Sequence, residues 1–368
     1  MVRLADKAGQ MGLSINRERL AHSPFLVFFE MTQACDLACT HCRACAQTRP
    51  SANELSSAES LRLIDQLTQF PQPPMLILTG GDPLKRADVF ELIQHAKRSG
   101  LDVSITPAAT SLATADRITQ LRDAGISRMA VSLDGASRET HDGLRGVDGS
   151  FQKTLEMLTM ARDAGVATQV NTVVTRSNYQ QISALAELLS RYDIALWSVF
   201  FLVPVGRAAR DHCLDGRQCE AVFEELWQQT QRQPYLIKTT EAPHYRRFAA
   251  ERRKSAPRTT RTPRGTRPFL ATGLNDGKGV MFVSHSGLIH PSGFMPIVCG
   301  VFPFQHVVQV YQQSPVFQKW RSAEQLHGKC RQCEYRTICG GSRARAYAVT
   351  GDPLAEEPDC TYIPRGLR

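Results

Sequence analysis

Residues 35–42 read Cys-Asp-Leu-Ala-Cys-Thr-His-Cys and place Cys35, Cys39 and Cys42 at the spacing C-x3-C-x2-C. Closely spaced thiolates hold iron–sulfur clusters, and a cubane normally takes four of them. A set of three leaves one iron without a protein ligand, as an open catalytic zinc site leaves room for a small molecule. By itself the spacing also fits a zinc site or one buried helical face, because positions i, i+4 and i+7 align on a helix.

The composition describes a globular chain with a large core. The chain has 368 residues, more than one typical domain, and 42% of them are hydrophobic. No apolar run reaches the roughly 18–20 residues that cross a bilayer. Residues 1–20 lack the continuous apolar stretch of a secretion signal. We therefore expect a cytoplasmic protein without membrane association.

Cysteine usage indicates metal binding. Seven of the eleven cysteines fall in two tight groups, one near each end of the chain. Without an export signal, such grouping favours metal sites over disulfides. We expect Cys45, Cys213 and Cys219 to be ordinary unliganded thiols, and Cys299 is left as an unassigned possible ligand.

Positive charge is concentrated in one segment. The formal net charge is +9, and residues 252–267 hold seven basic residues mixed with Pro and Thr. This segment is either a solvated linker or an anion-binding lid for an acidic substrate. No aromatic residues interleave with its charges, which argues against nucleic acid.

Short apolar runs alternate with helical patterns between residues 24 and 235. The runs cover residues 25–30, 75–79, 101–106, 128–133, 166–174 and 196–203. Runs without polar alternation are typical of strands buried on both faces. Strand–helix alternation gives a parallel sheet with right-handed crossovers. These six units predict an α/β fold, a partial (βα)6 parallel barrel, with its chemistry at the carboxyl ends of the strands.

Local signals support the helices between these runs. Ser56, with Glu59 three residues later, predicts a capping box at the start of the first helix after the cysteines. Gly100, Gly125 and Gly165 each precede a predicted strand, where glycine supplies a left-handed helix end.

The region from residue 270 has frequent Gly and Pro, short predicted strands and a second cysteine group. Cys330, Cys333, Cys339 and Cys360 follow the spacing C-x2-C-x5-C-x20-C. Four thiolates can saturate a cubane, and a zinc ribbon is the structural alternative. We expect a small domain whose core is partly replaced by a metal.

Several further motifs follow the first cysteines in order, and with them residues 22–235 resemble the radical S-adenosylmethionine (SAM) superfamily. The signature of that superfamily is C-x3-C-x2-C after the first strand of a partial (βα)6 barrel. Residues 80–83, Gly-Gly-Asp-Pro, are similar to the family's Gly-Gly-Glu-Pro segment, which holds the SAM amino group. Residues 132–135, Ser-Leu-Asp-Gly, are similar to the segment near the SAM ribose.

The resemblance implies SAM-contacting positions at several strand ends. Asp82 departs mildly from the family, where Glu is commoner, and Arg207 is a candidate for either the SAM carboxylate or a substrate carboxylate. The implied cofactor-binding residues are Gly80, Gly81, Asp82, Ser132, Asp134, Asn171 and Arg207. The implied ligands of the SAM cluster are Cys35, Cys39 and Cys42, with the open iron left to the amine and carboxylate of SAM.

The C-terminal cysteines are similar to the auxiliary-cluster domain of the SPASM/twitch branch of the superfamily. Full SPASM domains carry a second auxiliary cluster, but Ser292 and Arg343 stand where two of its cysteines would be. The resemblance therefore implies one auxiliary cluster, held by the four C-terminal cysteines, and two [4Fe–4S] clusters in the whole chain.

Residues 333–358 and 41–44 are similar to the heme-maturing members of this branch. Their activity implies oxidative removal of propionate carboxylates from a tetrapyrrole, with an auxiliary cluster accepting the released electron. Ser342 departs from the heme synthases, which carry Cys there, and so points to a related but different substrate. His285 and His290 are candidate axial ligands of a heme iron or ordinary structural histidines.

Two alternatives stay open, a SPASM-type peptide or protein maturase and a non-catalytic iron–sulfur or zinc scaffold. A radical SAM enzyme implies a flavodoxin- or ferredoxin-type electron donor and a tetrapyrrole or peptide substrate. The predicted division of the chain is an N-terminal extension (1–21), the radical SAM partial barrel (22–235), a basic linker or loop (236–269) and the C-terminal auxiliary Fe–S domain (270–368).

Overall fold

One ten-stranded sheet organises the computed structural model, which describes residues 17–255 and 273–368. The strands are β1 Leu26–Glu30, β2 Met75–Thr79, β3 Asp102–Ile105, β4 Arg128–Ser132, β5 Thr168–Val174, β6 Leu196–Phe201, β7 Leu236–Thr240, β8 Val280–Val283, β9 Leu288–His290 and β10 Gly300–Val301. Their spatial order is β10-β9-β8-β1-β2-β3-β4-β5-β6-β7.

Most of the helices pack on the outer face of this sheet. They are α1 Arg17–His22, α2 Ser57–Leu67, α3 Val89–Arg98, α4 Ala115–Ala124, α5 Arg138–Arg145, α6 Ser150–Asp163, α7 Ile182–Leu189, α8 Gly216–Arg232, α9 His244–Ser255, α10 Val307–Gln313, α11 Pro315–Trp320, α12 Gly328–Gln332 and α13 Arg343–Thr350. Short 3₁₀ turns lie at Pro83–Lys85, Tyr179–Gln181, Arg210–His212, Ala323–Gln325 and Arg365–Leu367. No helix of the described residues is long and apolar enough to cross a membrane.

The six predicted strands are all present and parallel, and the α/β partial-barrel prediction is confirmed. One face of each strand packs into the core beneath the helices, as Val27, Leu76 and Trp197 do, each fully buried. Alternate residues point to opposite faces of a strand, so the other set lines the inside of the curved sheet. We call this inner space the barrel lumen.

The predicted features at the helix ends are also present in the structure. Ser56 and Glu59 form the capping box of α2, and Leu63, Ile64 and Leu67 of that helix are buried. The left-handed glycines at helix ends are Gly100, Gly125 and Gly165, each with a positive φ.

Residues 236–255 correct part of the predicted basic linker, because they form β7 and α9. Strand β7 pairs with β6 in parallel and adds a seventh strand to the barrel. Helix α9 buries Tyr245, Phe248 and Ala249, an i, i+3, i+4 pattern that anchors a helix face despite its basic end. The rest of the basic segment lies outside the described residues.

The C-terminal region joins the same sheet rather than starting a separate one. Strand β8 pairs with β1 in parallel, and β9 and β10 extend the sheet in antiparallel fashion. Apolar β8, Val-Met-Phe-Val, finds a ready partner in the exposed edge of β1. The division into a barrel and an auxiliary domain stays a prediction.

Candidate iron–sulfur and cofactor site

The predicted cofactor segments meet at one edge of the sheet. The cysteine loop follows β1, residues 80–83 follow β2, and residues 132–135 begin at the end of β4. Because these strands are parallel, their carboxyl ends lie together. The motifs that are far apart in the sequence therefore surround one space.

The three thiols of the cysteine loop lie close together. Cys35 and Cys39 are buried and Cys42 is partly exposed. Backbone N–H groups of Leu37 and Ala46 donate to the sulfurs of Cys35 and Cys42, both at 3.4 Å. Burial is the main cause that raises the pKa of Cys35 to about 11, so binding a metal there must displace protons.

A buried ion pair fixes the outer side of the cysteine loop. Arg145 Nη2 lies 2.6 Å from Asp134 Oδ2, and neither side chain is more than 11% exposed. The same guanidinium donates to Cys39 Sγ at 3.7 Å, and His41 Nε2 lies 3.4 Å from Asp134 Oδ2. Asp134 Oδ1 accepts from Val173 N–H at 2.8 Å. Both carboxylate oxygens of Asp134 therefore contact groups of the protein itself.

Gly80 and Gly81 allow residues 80–82 to lie directly against the cysteine loop. Gly80 has φ +147°, and a Cβ there would be 2.4 Å from Thr32 O. A Cβ at Gly81 would be 2.3 Å from Ala34 O. The backbone N–H of Gly81 donates to Thr32 O at 2.7 Å. Any side chain at these two positions would push the loop away.

Asp82 is completely buried and serves its own loop. Its carboxylate accepts from the N–H of Leu84 at 3.1 Å, the N–H of Ala108 at 3.3 Å and the hydroxyl of Thr110 at 3.0 Å. Burial raises the pKa of Asp82. The side chain therefore positions the backbone of residues 80–83 beside the cysteines.

Ser132 and Asn171 share one row that crosses the lumen. Ser132 pairs with Asn171, Asn171 with Ser198, and Ser198 with Lys238 of β7. Residues paired across parallel strands share a face, and the opposite face of β6 belongs to the core. The structure thus brings these two predicted cofactor-binding residues together and adds Lys238, which the sequence analysis missed because β7 was not predicted.

Arg207 reaches the same site through its backbone. Its N–H donates to Cys42 O at 3.0 Å, and its side chain is exposed. Gly206 has φ +65°, and a Cβ there would be 2.4 Å from Cys42 O. The turn at residues 206–207 therefore packs against the last cysteine of the loop.

The four thiols of the second cysteine set line one cavity. They are those of Cys330, Cys333, Cys339 and Cys360. Arg247, Lys329 and Arg336 also line it. The cavity therefore brings four thiols and three cationic side chains together in one place.

Backbone amides point at these sulfurs. The thiols of Cys330, Cys333 and Cys339 each accept from a backbone N–H, at 3.3, 3.4 and 3.4 Å. Burial raises the pKa of Cys339 to about 12 and that of Cys360 to about 11. Within the described ranges, no group of three or more His, Cys, Asp or Glu side chains is arranged around a single metal ion. Four thiols, three amide donors and three cations suit an anionic cluster in this cavity.

Ser342 and Arg343 have structural partners and do not line this cavity. The hydroxyl of Ser342 donates to Glu241 Oε2 at 2.5 Å. Arg343 Nη1 donates to the carbonyls of Pro353 at 3.0 Å and Ala355 at 2.7 Å. Both residues therefore hold the C-terminal segment in place.

The remaining cysteines lie outside both sets. Cys213 and Cys219 are buried, Cys299 is partly buried and Cys45 is exposed. Cys299 packs against the main core, and burial raises its pKa to about 12. None of the four lines the cavity of the second set.

Comparison with known proteins identifies this arrangement. Residues 29–189 match the radical SAM superfamily. Across 92% of its length the chain is 37% identical to an AdoMet-dependent heme synthase of Oleidesulfovibrio alaskensis, of which the match covers 88%. The chain belongs to the radical SAM superfamily.

Two further comparisons describe this radical SAM enzyme. It is 36% identical to an AdoMet-dependent heme synthase of Methanosarcina barkeri over 94% of its own length and 98% of that protein. Its fold matches Streptococcus suis SuiB bound to S-adenosylmethionine with a TM-score of 0.72, covering 93% of this chain and 78% of SuiB at 16% identity. Membership of the superfamily implies SAM and a [4Fe–4S] cluster as cofactors.

Proposed function

We propose that this radical SAM enzyme oxidatively removes propionate carboxylates from an iron tetrapyrrole. The observation that carries the proposal is the two-sided character of the lumen, which has an apolar side and a cationic side. The similarity to proteins named AdoMet-dependent heme synthase supports the same substrate class.

The apolar side lies along β8, β1 and β2. Phe28 pairs with Phe282 on one neighbour and with Ile77 on the other, so all three share the lumen face. Phe28 and Ile77 are partly exposed, whereas Arg43 covers Phe282. A flat aromatic macrocycle is apolar over its faces and packs well on partly exposed apolar side chains. This half of the lumen suits the ring of a tetrapyrrole.

The cationic side lies along β4 and β7. Lys238 is partly exposed on the lumen face of β7, near Arg128 of β4 and Arg246 of α9. Arg128 Nη1 donates to Gln169 Oε1 at 3.5 Å, and its buried Nε has no partner among the described residues. Arg246 Nη1 donates to Ile338 O at 3.1 Å. Guanidinium and ammonium groups are the usual partners of carboxylates.

The charged form of Lys238 is destabilised by the two nearby arginines, which favours an anionic ligand beside it. Burial, and then the charges of Arg128 and Arg246, lower the pKa of Lys238 to about 8. Burial also lowers the pKa values of both arginines. A bound carboxylate would favour the charged forms of all three.

We assign Cys35, Cys39 and Cys42 to the SAM cluster, and the four C-terminal cysteines to an auxiliary cluster. When bound, the first cluster and SAM supply a hydrogen-abstracting 5′-deoxyadenosyl radical, and the second accepts the electron released with CO2. The protein itself orients the propionate and excludes water from the reacting carbon. The residues for this work are the lumen cations and the loops around Gly80 and Gly206.

The test is an anaerobic assay of the reconstituted enzyme with dithionite, SAM and iron-coproporphyrin, followed by mass spectrometry. We expect 5′-deoxyadenosine and a product that has lost CO2 and two hydrogens for each propionate converted. An unchanged porphyrin mass with active SAM cleavage would contradict the substrate and favour a peptide. No SAM cleavage at all would favour the scaffold alternative.

The cationic side of the lumen has its own test. Lys238→Met should raise the KM for iron-coproporphyrin about tenfold, because a charge-assisted hydrogen bond contributes about 1.5–3 kcal/mol. Lys153→Met is the control, since Lys153 lies exposed on α6. Equal KM values for the two variants would show that Lys238 does not hold the substrate.

A further inference from the structure

Glu30, Arg43 and His285 form a cluster where the apolar side of the lumen meets the cysteine loop. Glu30 ends β1, His285 follows β8, and Arg43 follows Cys42 directly. Arg43 Nη2 lies 2.9 Å from Glu30 Oε1. The Arg43 guanidinium also stands over the ring of Phe282, 4.7 Å from its centroid. The cluster is therefore at the strand edge that carries the three thiols.

The side chain of His285 is held by Glu30 in one orientation. Its Nδ1 lies 2.8 Å from Glu30 Oε2, and its backbone carbonyl accepts from Leu55 N–H at 2.7 Å. The side chain of His285 is 13% exposed, against 4% for Glu30. Its Nε2 has no hydrogen-bond partner among residues 17–255 and 273–368.

The contact between Glu30 and His285 leaves one ring nitrogen of His285 able to bind a metal. A carboxylate that accepts from one ring nitrogen fixes the tautomer, so the lone pair is on the other nitrogen. Most metal-binding histidines have such a partner, which also raises their basicity. In His285 the nitrogen left for a metal is therefore Nε2.

Glu30 is suited to this role because it remains ionised. Burial favours its neutral form, but the hydrogen bond to His285 and the charge of Arg43 prevail and lower the pKa of Glu30. Arg43 is in turn fixed by donating to Gly293 O at 3.3 Å. A fixed carboxylate holds the imidazole more firmly than a mobile one.

His290 is the nearest comparison, and its setting differs. Its Nδ1 lies 3.1 Å from the backbone carbonyl of Ile297, and the residue is 8% exposed. Its ring lies 6.0 Å from that of Phe282. Among the described residues no carboxylate hydrogen-bonds to it, and Glu30 acts on it only through its charge, so His290 serves as the control for His285.

We propose that Nε2 of His285 is an axial ligand of the iron in the tetrapyrrole substrate, with Glu30 as its positioning residue. The proposal rests on the proposed function, since it requires an iron tetrapyrrole in the lumen. Neutral imidazole is the common proximal ligand of heme iron. Ligation at the end of β8 would hold the macrocycle beside the partly exposed Phe28, with its carboxylates free to reach the cationic side.

The experiment compares two probes, ferric coproporphyrin III and metal-free coproporphyrin, titrated into the reconstituted enzyme. In the wild type we expect the Soret band and the EPR spectrum of the ferric probe to report a nitrogen ligand. His285→Ala should lose that signature and bind the ferric probe at least tenfold more weakly, while its affinity for the metal-free probe changes less than twofold. His290→Ala should keep the signature.

Two further measurements distinguish the loss of an iron ligand from misfolding of the variant. Free imidazole should restore the nitrogen-ligand spectrum of His285→Ala, which a misfolded protein could not do. Glu30→Gln should keep the ligand but weaken ferric binding by about 10–100-fold, the range for loss of such a partner.

The outcomes are distinct. An unchanged ferric spectrum in His285→Ala would overturn the ligand assignment and leave the proposed function standing. Equal weakening for both probes, without imidazole rescue, would also overturn it. Failure of the wild type to bind either porphyrin would overturn the proposed function as well.

Discussion

The two cysteine sets offer the same ligand chemistry in different surroundings. The loop at residues 35–42 presents three thiols at the carboxyl ends of the barrel strands. The C-terminal set places four thiols around one cavity. With equal chemistry, the number of thiols decides whether an iron stays open to a substrate or is fully held by protein.

The two cysteine sets differ in their number of thiols, but similar ion pairs hold both of them in place. In the first, Arg145 pairs with buried Asp134 and also reaches Cys39. In the second, Arg345 Nη1 lies 3.1 Å from Glu357 Oε1, both fully buried, and Glu357 N–H donates to Cys330 Sγ at 3.3 Å. In both places a buried arginine–carboxylate pair fixes the backbone that carries a thiol.

The largest effect is expected from removing a thiol of the open set. Cys35→Ala should reduce SAM cleavage to background, because the remaining two thiols cannot hold the cluster in place. Iron should fall from about eight to about four per chain, since each cubane contains four. The readouts are 5′-deoxyadenosine and iron content. Cys45→Ala, an exposed thiol in the same segment, should match the wild type in both.

Removing a thiol of the closed set should have a different result. Cys330→Ala should also lower iron to about four per chain, yet SAM cleavage should persist while formation of decarboxylated product is lost. The physical reason is that the released electron no longer has an acceptor. Cys219→Ala, a buried thiol outside the cavity, is the matched control. Full product formation by Cys330→Ala would remove the distinction between the two sets.

The buried pair beside the open set should matter for stability. Arg145→Leu leaves Asp134 buried without its partner, which typically costs about 3–5 kcal/mol. Arg138→Ala on the same helix removes an i,i+4 pair whose arginine side chain is 64% exposed, and should cost about 0.5 kcal/mol or less. Denaturant midpoints of the two variants measure the difference. Equal midpoints would show that Asp134 does not depend on Arg145.

The smallest expected effect comes from two glycine substitutions, which distinguish a steric clash from backbone strain. Gly146 and Gly149 both have positive φ, but a Cβ at Gly146 would be 2.6 Å from Ala38 O, whereas Gly149 has open space. Gly149→Ala should cost about 1–2 kcal/mol from backbone strain alone. Gly146→Ala should cost more and lower iron in the open set, because Ala38 lies between Cys35 and Cys39. Identical iron contents would show that the contact is not needed.

Sequence patterns predicted the six barrel strands, the α2 capping box and the cysteine positions, because these are local signals. The pairing of β8 with β1 depends on partners more than two hundred residues apart in the sequence, which no local pattern encodes. Strand β7 was missed because its run Leu-Ile-Lys-Thr-Thr is short and partly polar. Because Lys238 lies in β7, its position in the lumen was missed together with that strand.

The candidate site, like the fold, could be predicted only in part. The sequence placed Cys35, Cys39, Gly80 and Gly81 in one site through spacing and motif order. It could not show that Asp82 and Asp134 face inward to protein donors, nor that Arg145 contacts a cysteine. Such contacts arise where loops from different strand ends meet, and a linear pattern does not contain them.

The most direct test of the difference between an open and a closed set is EPR of two variants, each keeping one set of cysteines. The reduced clusters are measured with and without SAM. SAM should change the spectrum of the variant that keeps Cys35, Cys39 and Cys42, and leave the spectrum of the C-terminal set unchanged. A spectrum of the C-terminal set that responds to SAM, or an N-terminal set that does not, would contradict the assignment of the open iron.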